Sequence, residues 1–348
     1  MDGGDNAAQL QLDTAQTPRL LHHVSRADVQ CLGTAVQPLA TDRVVVPARN
    51  EAETIRHVLA YLLSSGFNPK QITVLVNNSS DDTEVVARKQ PDVRVVTQHE
   101  AFTSHGVYAM RERYALPRVI AGKGAALLAA LLDLRDRRDP ADNARVFFVD
   151  ADIKNGALVD PIGRLLTGWN EAPNARMIKL ASQSRNNEGI HAYLGIPHNP
   201  FAPLGCLQWP LCGQMSIRWG DAKRMHLTTG YSVEVAMMLD LLAEYGSRDQ
   251  SHPVFAEVEL DTPLCDKPNS DQTHVLMYRN IMALLHALWG HNVTATRGLN
   301  ASSIHSLNSR MGAANSTPFW VPSQPGSGPN TKELPRLDLF LPSVAECS

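Results

Sequence analysis

The sequence predicts an α/β protein whose parallel or mixed sheet is covered by helices on both faces. Two observations predict it. From Asp42 onward, short β-branched runs alternate with stretches of helical spacing. Three polar clusters, Pro47–Glu51, Asn77–Asp82 and Asp150–Asp152, each fall just after a strand, and the carboxyl ends of strands are where such sheets collect ligands.

Each element has its own signal. "RVVVPARNE" is a β-branched run ending at a proline, a strand entering a loop. In "EAETIRHVLAYLLSSG", Ile55, Val58, Leu59, Leu62 and Leu63 have the spacing of one helix face, and Gly66 closes the segment. "ITVLVNNSSDDT" reads as a second buried strand running into a polar turn, "DTEVVARKQ" as a short helix and "VRVVTQ" as a third strand. "GKGAALLAALLDLRD" is a strong helix after two glycines, and "ARVFFVDAD" is a fourth strand. Further on, "DQTHVLMYRNIMALLHALWG" places Val275, Leu276, Ile281, Leu284, Leu285 and Leu288 at helical spacing. That predicts a helix packed on the sheet. Its single Arg279 leaves the polar face too poor in cations for a membrane-surface helix.

The whole-chain properties narrow the function. The 348 residues can bury a large core, and a formal net charge of -3 gives no electrostatic case for binding nucleic acid or an anionic membrane. No apolar run reaches the roughly 18 residues that span a bilayer. The polar, acidic start "MDGGDNAAQLQLD" is unlike a secretory signal. The five cysteines (Cys31, Cys206, Cys212, Cys265, Cys347) are scattered without CxxC spacing, which argues against a disulfide framework or structural zinc and for the cytoplasm. Residues 1–40 lack periodicity and read as a loosely ordered extension. The Pro-, Gly- and Ser-rich 309–348 reads as a flexible tail. A homodimer is compatible with the sequence.

The chemistry lies in the clusters. Asp150 and Asp152 form a DxD after "FFV", and two such close carboxylates suit a hard divalent cation, Mg²⁺ or Mn²⁺, that keeps positions open for phosphate oxygens. The alternative is a solvated turn with two surface acids. Lys123 stands between two glycines at a helix start, where the ammonium and the helix N-terminus both favour an anion. The segment lacks the full GxxxxGK[ST] loop. A lysine beside a DxD suggests a diphosphate.

"VVVPARNEAETI", "VLVNNSSDDTEVV", "GKGAALLAAL" and "FFVDADIKN" occur in an order that resembles the GT-A-fold nucleotide-sugar glycosyltransferases, particularly the family-2-like group. "CLQWPLCGQMSI" and "TTGYSVEVAMMLDLL" look like segments of the glucosyl-3-phosphoglycerate synthases, a retaining family. The resemblance spans about Asp42 to Trp289. It implies a GT-A Rossmann-like mixed sheet with a C-terminal acceptor-side extension, residues 41–160 binding the nucleotide-sugar and 161–308 completing the same domain toward the acceptor. By position, it implies that Pro47, Ala48 and Glu51 line the nucleoside pocket with Asn77 and Ser79. Lys123 would meet the diphosphate, Asp150 the ribose and sugar, and Asp152 the metal. Leu211 would offer its carbonyl near the anomeric carbon, Glu234 would sit beside the sugar, and Gly213 would lie on the acceptor side. The implied partners are a nucleotide-sugar, UDP-glucose above all, and a small acidic acceptor such as 3-phosphoglycerate.

Departures from the family are specific. Asn77 stands where the group usually has an aspartate for the base, although an amide oxygen still accepts a hydrogen bond. The family's "GGE" is here Cys212-Gly213-Gln214, and Trp209 precedes the proline. The family's later metal-binding histidine has no clean counterpart: Asp266, His274 and Asp261 are the candidates, with His274 taken for its ligand type. In the polar stretch 182–200, Arg185 is placed to clamp a carboxylate or phosphate, with Asn187 and His191 beside it. A plain surface loop would have the same composition.

Three other functions fit parts of the sequence. An inverting family-2-like transferase acting on a glycan or lipid would need a general base, with Glu234 or Asp240 as candidates. A nucleotidyltransferase would carry a glycine-rich basic first loop, which "PARNEAET" is not. A non-catalytic nucleotide-sugar sensor has no need for Asp150, Asp152 and Lys123 together.

Overall fold

A computed structural model describes residues 21–24, 36–110, 120–138, 140–181, 193–194, 199–225, 227–246, 252–267, 271–290 and 319–320. Among them the main strands are β1 (Leu21–Val24), β2 (Arg43–Ala48), β3 (Ile72–Val76), β4 (Arg94–Thr97), β5 (Arg145–Phe148), β6 (Met177–Ala181) and β7 (Met215–Arg218). A two-residue β8 (Leu227–Thr228), β9 (Phe255–Glu259) and a two-residue β10 (Phe319–Trp320) follow. Eight of them form one sheet in the order β1-β9-β6-β7-β5-β2-β3-β4, while β8 and β10 pair separately. Only β7 runs against its neighbours, antiparallel to both β5 and β6. The sheet is therefore mixed, as the sequence predicts.

Both faces are buried, so successive strand residues serve opposite cores. Val45, Leu75, Val146 and Phe148 join one cluster, while Val44, Val46, Val74 and Phe147 join the other. Phe147 and Phe148 are both fully buried, each contributing on the order of 2–3 kcal/mol. The first cluster centres on α4 (Lys123–Arg138), whose residues Ala125 to Leu132 are all inaccessible; a helix apolar on every side is a core helix. The second is capped by α1 (Ile55–Ser64) and α6 (Pro161–Glu171). Between these lie α2 (Thr83–Arg88), α3 (Gln98–Ser104) and the short α5 (Gly156–Val159).

Pro47 continues β2 rather than ending it. Val45 gives its carbonyl to Val149 on the β5 side, so Pro47, two residues on, faces that same side. The ladder to β5 stops at the Val45–Phe148 register, so no bond is lost to the missing N–H.

The C-terminal part of the described chain adds α7 (Trp219–Ala222), α8 (Val233–Tyr245) and α9 (Asp271–Gly290). Ile281, Leu284, Leu285 and Leu288 of α9 enter the core as expected, but Val275 and Leu276 are about half exposed, because the first turns of α9 extend beyond it. Two strands fall where the sequence shows no periodicity. Leu21–Val24 pairs with β9 and Phe319–Trp320 with β8, and runs of four and two residues are too short to show a period. The remainder of the expected N-terminal extension up to residue 35, and the rest of the expected tail, lie outside the described residues. Among the described residues no helix is long and apolar enough to cross a membrane.

Candidate active site

The carboxyl ends of β2, β3 and β5 and the beginning of antiparallel β7 share one edge of the sheet. The loops after β2 and β3 lock together. Asn50 and Asn78 both adopt left-handed backbone (φ 58 and 49), which asparagine tolerates better than other side-chain-bearing residues. The Asn50 N–H donates to the Ser79 hydroxyl (3.1 Å), the Ser80 N–H to the Asn50 side chain (2.8 Å), and the Glu51 N–H to Thr83 (2.7 Å). Ser79 thus shapes the wall. Ala48 is buried, and its carbonyl accepts from the Asn77 N–H (2.8 Å). Asn77 itself is 4% exposed: its amide donates to the Gly122 carbonyl (2.9 Å) and accepts from Asn78 (3.1 Å). That buried amide ties the second strand end to the turn before α4.

The turn "GKG" needs both glycines. Gly122 has φ +103, and a side chain at Gly124 would collide with the Thr228 backbone carbonyl. This close approach lets Gly124 and Ala125 donate their N–H groups to the carbonyls of Gly230 and Thr229 (both 3.0 Å). The expected anion site at the α4 N-terminus is corrected here: those two donors are already taken by backbone, and the lysine carries the positive charge. Lys123 Nζ lies 2.8 Å from Asp150 and 2.9 Å from Glu234. Burial disfavours its charge, but the two carboxylates outweigh burial and raise its pKa. Burial likewise pushes Glu234 up, and Lys123 more than reverses this, leaving its carboxyl below the ordinary range. Gln214, 2% exposed, grips Asp150 twice, donating to its carboxylate (2.9 Å) and accepting from its N–H (3.0 Å).

Asp152 is the uncompensated acid. Burial, then the charges of Asp150, Asp266 and Glu51, push its carboxyl up to about 7, with Lys123 acting in the other direction. Asp266 is exposed as a residue, yet loss of solvent around its carboxyl, with Asp150 nearby, raises it to about 6. The segment from Asp261 to Lys267 straps the corner: the Lys154 N–H donates to the Cys265 carbonyl (2.8 Å), and Lys267 donates to the Asn50 carbonyl (2.8 Å) while lying 3.8 Å from Glu51. Asp261 is engaged elsewhere, with Arg164. The His274 side chain lies outside the described residues, as do Arg185, Asn187 and His191. Among the described residues no three His, Cys, Asp or Glu side chains converge as a finished metal site. The excess negative charge around Asp152 nevertheless matches a hard cation completed by substrate oxygens.

Leu211 is half-buried, and Gly213 abuts Asp150 and Lys123 so closely that a side chain there would overlap both. Gly213, expected on the acceptor side, lies in the corner where Lys123 meets the acids. Sequence reasoning missed the grip of Gln214 on Asp150 and the contacts of Lys267. Gln214 was visible only as the departure from "GGE".

Comparison with known proteins bears on this arrangement. Residues 43–111 match the model of glycosyl transferase family 2. The chain has a GT-A-type fold. Glucosyl-3-phosphoglycerate synthase from Mycobacterium tuberculosis, in complex with Mn²⁺, uridine-diphosphate and phosphoglyceric acid, is similar at TM-score 0.57 and 22% identity, over 78% of this chain and 85% of that one. The same synthase with Mg²⁺ and uridine-diphosphate also gives 0.57 and 22%, over 80% and 89%. A mycobacterial protein gives 0.55 and 25%, over 76% and 78%. The likeness to the synthase establishes the shared fold. No curated protein matches the chain.

Proposed function

We propose that the enzyme is a metal-dependent hexosyltransferase that moves glucose from UDP-glucose to a small acidic acceptor such as 3-phosphoglycerate, with retention of configuration. The observation that carries this reading is Lys123 held between Asp150 and Glu234 at 2.8 and 2.9 Å, beside the charge-crowded Asp152. The uridine-diphosphate, Mn²⁺ and phosphoglycerate bound by the synthase of similar fold support the choice of ligands. Residues 41–160 form the donor half and 161–308 the acceptor half. The free thiols of Cys206, Cys212 and Cys265 agree with a cytoplasmic setting.

Asp152, with Asp266 nearby, would hold Mg²⁺ or Mn²⁺, which when bound neutralises diphosphate charge as a Lewis acid. Lys123 stays protonated because two carboxylates hold it so, and it stabilises the negative charge that grows on the departing diphosphate. Asp150, fixed by Gln214, is placed to take the ribose and sugar hydroxyls. The walls formed by Pro47, Ala48, Glu51, Asn77 and Ser79 receive the nucleoside.

Among the described residues, the two bases expected for an inverting route are poorly suited to it, which supports retention. Glu234 is bound to Lys123 and held below the ordinary carboxylate range, so it is a weak base at neutral pH. Asp240 lines a separate small cavity with Asp221, Arg224 and Glu244. The acceptor oxygen bonds to the anomeric carbon as the bond from that carbon to the phosphate oxygen breaks, and the acceptor proton passes to that departing oxygen on the same face. Incubation with a panel of nucleotide-sugars, Mn²⁺ and 3-phosphoglycerate tests the reading. An α-linked product from UDP-glucose is expected. A β-linked product overturns retention, and tight binding without turnover favours a sensor.

A further inference from the structure

Beneath the loop from Gln208 to Gln214 lie two ionisable side chains that the chemistry above does not use. Lys179 on β6 and Glu257 on β9 are both 0% exposed, and they stand directly opposite each other in the parallel register of the two strands. Residues at one register position project from the same face of a sheet. Charges buried this deeply are expensive unless hydrogen-bonded, and an apolar pair would fill the same space at lower cost. Both side chains reach up to the loop. The two Glu257 oxygens accept the N–H groups of Trp209 (3.0 Å) and Gln208 (2.8 Å). Lys179 donates to the Cys212 carbonyl (3.0 Å).

The loop is thus held at both ends from below, on backbone atoms that no helix or strand of its own engages. Between the two anchors lie Pro210 and Leu211. Just beyond the second, Gly213 abuts Asp150 and Lys123, and Gln214 grips Asp150. Lys179 also acts on Glu234: burial pushes that carboxyl up, and Lys123 and then Lys179 bring it down. A shift of the loop would therefore move Leu211 and Gly213 and alter the surroundings of Glu234, while Gln214 stays moored through its carbonyl to the Leu180 N–H of β6 and keeps Asp150 in place.

We propose that Lys179 and Glu257 are positioning residues for glycosyl transfer, fixing Leu211 and Gly213 at the height where the donor sugar is held. This rests on the glycosyltransferase reading of the site. The hydrogen bonds of Lys179 and Glu257 described above go to the loop backbone, so loss of the pair is expected to separate turnover from nucleotide binding.

The test uses the full chain with Lys179→Met and Glu257→Gln. Expected is a kcat for sugar transfer reduced about 10- to 100-fold, the scale on which small misplacements act, with the uridine-diphosphate Kd in Mn²⁺ within about twofold of wild type. Amide hydrogen exchange gives a readout that needs no turnover, with protection lost in peptides covering 206–214 and kept elsewhere. Wild-type kcat, unchanged exchange, or a fall in kcat accompanied by a rise in Kd and a lowered Tm would each overturn the proposal. If both variants fail to fold, Pro210→Gly decides, since it loosens the loop without touching the buried pair. The same fall in kcat at unchanged Kd upholds the idea, and wild-type kcat overturns it. If the wild type transfers no sugar from any nucleotide-sugar, the proposed function falls, and with it the role in transfer. Exchange then separates that failure from failure of the clamp, by showing whether the pair holds the loop.

Discussion

Asp152 makes the proposed metal site sensitive to pH in a way an ordinary aspartate would not be. Its carboxyl is pushed from 3.8 up to about 7 by burial and by the acids around it. A cation binds the ionised form, so metal must displace a proton whenever the pH is below that value. With one such group, the ionised fraction climbs from about one tenth to about nine tenths between one unit below and one unit above pH 7, so apparent Mn²⁺ affinity rises roughly tenfold, or about 1.4 kcal/mol. The linkage has a definite sign. As pH rises from about 4 to about 7, the unfolded chain gains by ionising Asp152 and the folded chain does not, so the metal-free fold loses stability across that window. Bound metal restores it. Isothermal titration at about pH 6 in two buffers of different ionisation enthalpy should count close to one proton released per Mn²⁺, with Asp266 adding to the release below pH 6. Asp152→Asn should abolish both the metal binding and the release, and it should remove most of the metal-free decline in Tm. Mn²⁺ affinity that stays flat from about pH 6 to 8, with no proton released, would refute the charge-crowded corner.

Other perturbations test other parts of the structure. Lys123→Met strips the cation from Asp150 and Glu234 and should lower turnover by roughly 10²–10³ in a nucleotide-release assay, on the scale of losing one stabilising group; a loss under about threefold would remove Lys123 from the chemistry. Gly124→Ala drives a methyl into the Thr228 carbonyl and should cost about 1–3 kcal/mol in urea unfolding, since backbone must move to admit it. Arg145→Met leaves the fully buried Asp42 carboxylate without its guanidinium partner (2.8 Å) and should cost about 3–5 kcal/mol in the same assay, at a place remote from the site.

Much of residues 41–160 was legible because the signals there are local. The runs before Pro47, Asn77 and Asp150 are β-branched or aromatic, the helix spacing between them is regular, and the polar clusters fall at strand ends. Their meeting at one edge follows from parallel topology alone. The rest depends on contacts between residues far apart in the chain. Nothing near Asn77 shows that its amide will be used on Gly122, or that the α4 N–H groups will be taken by Thr229 and Gly230. The pairing of Lys179 with Glu257 across β6 and β9 is a fact of register between segments that sequence does not place side by side. The contact of Lys267 with Asn50 likewise joins residues separated by most of the domain. Short strands such as β1 carry too few residues for periodicity to register.

The reversed direction of β7 has a consequence for how this scaffold can diversify. β6 leaves the sheet at the rim that carries Asp150 and β7 re-enters it there, so the chain leaves Ala181 and returns at Met215 on the same edge. Length and composition between the two strands can drift without altering their pairing, provided Gln214 still meets Asp150. In the proposed transferase, new acceptors can thus be sampled by rewriting one continuous stretch of gene, while Lys123, Asp150 and Asp152 are inherited unchanged.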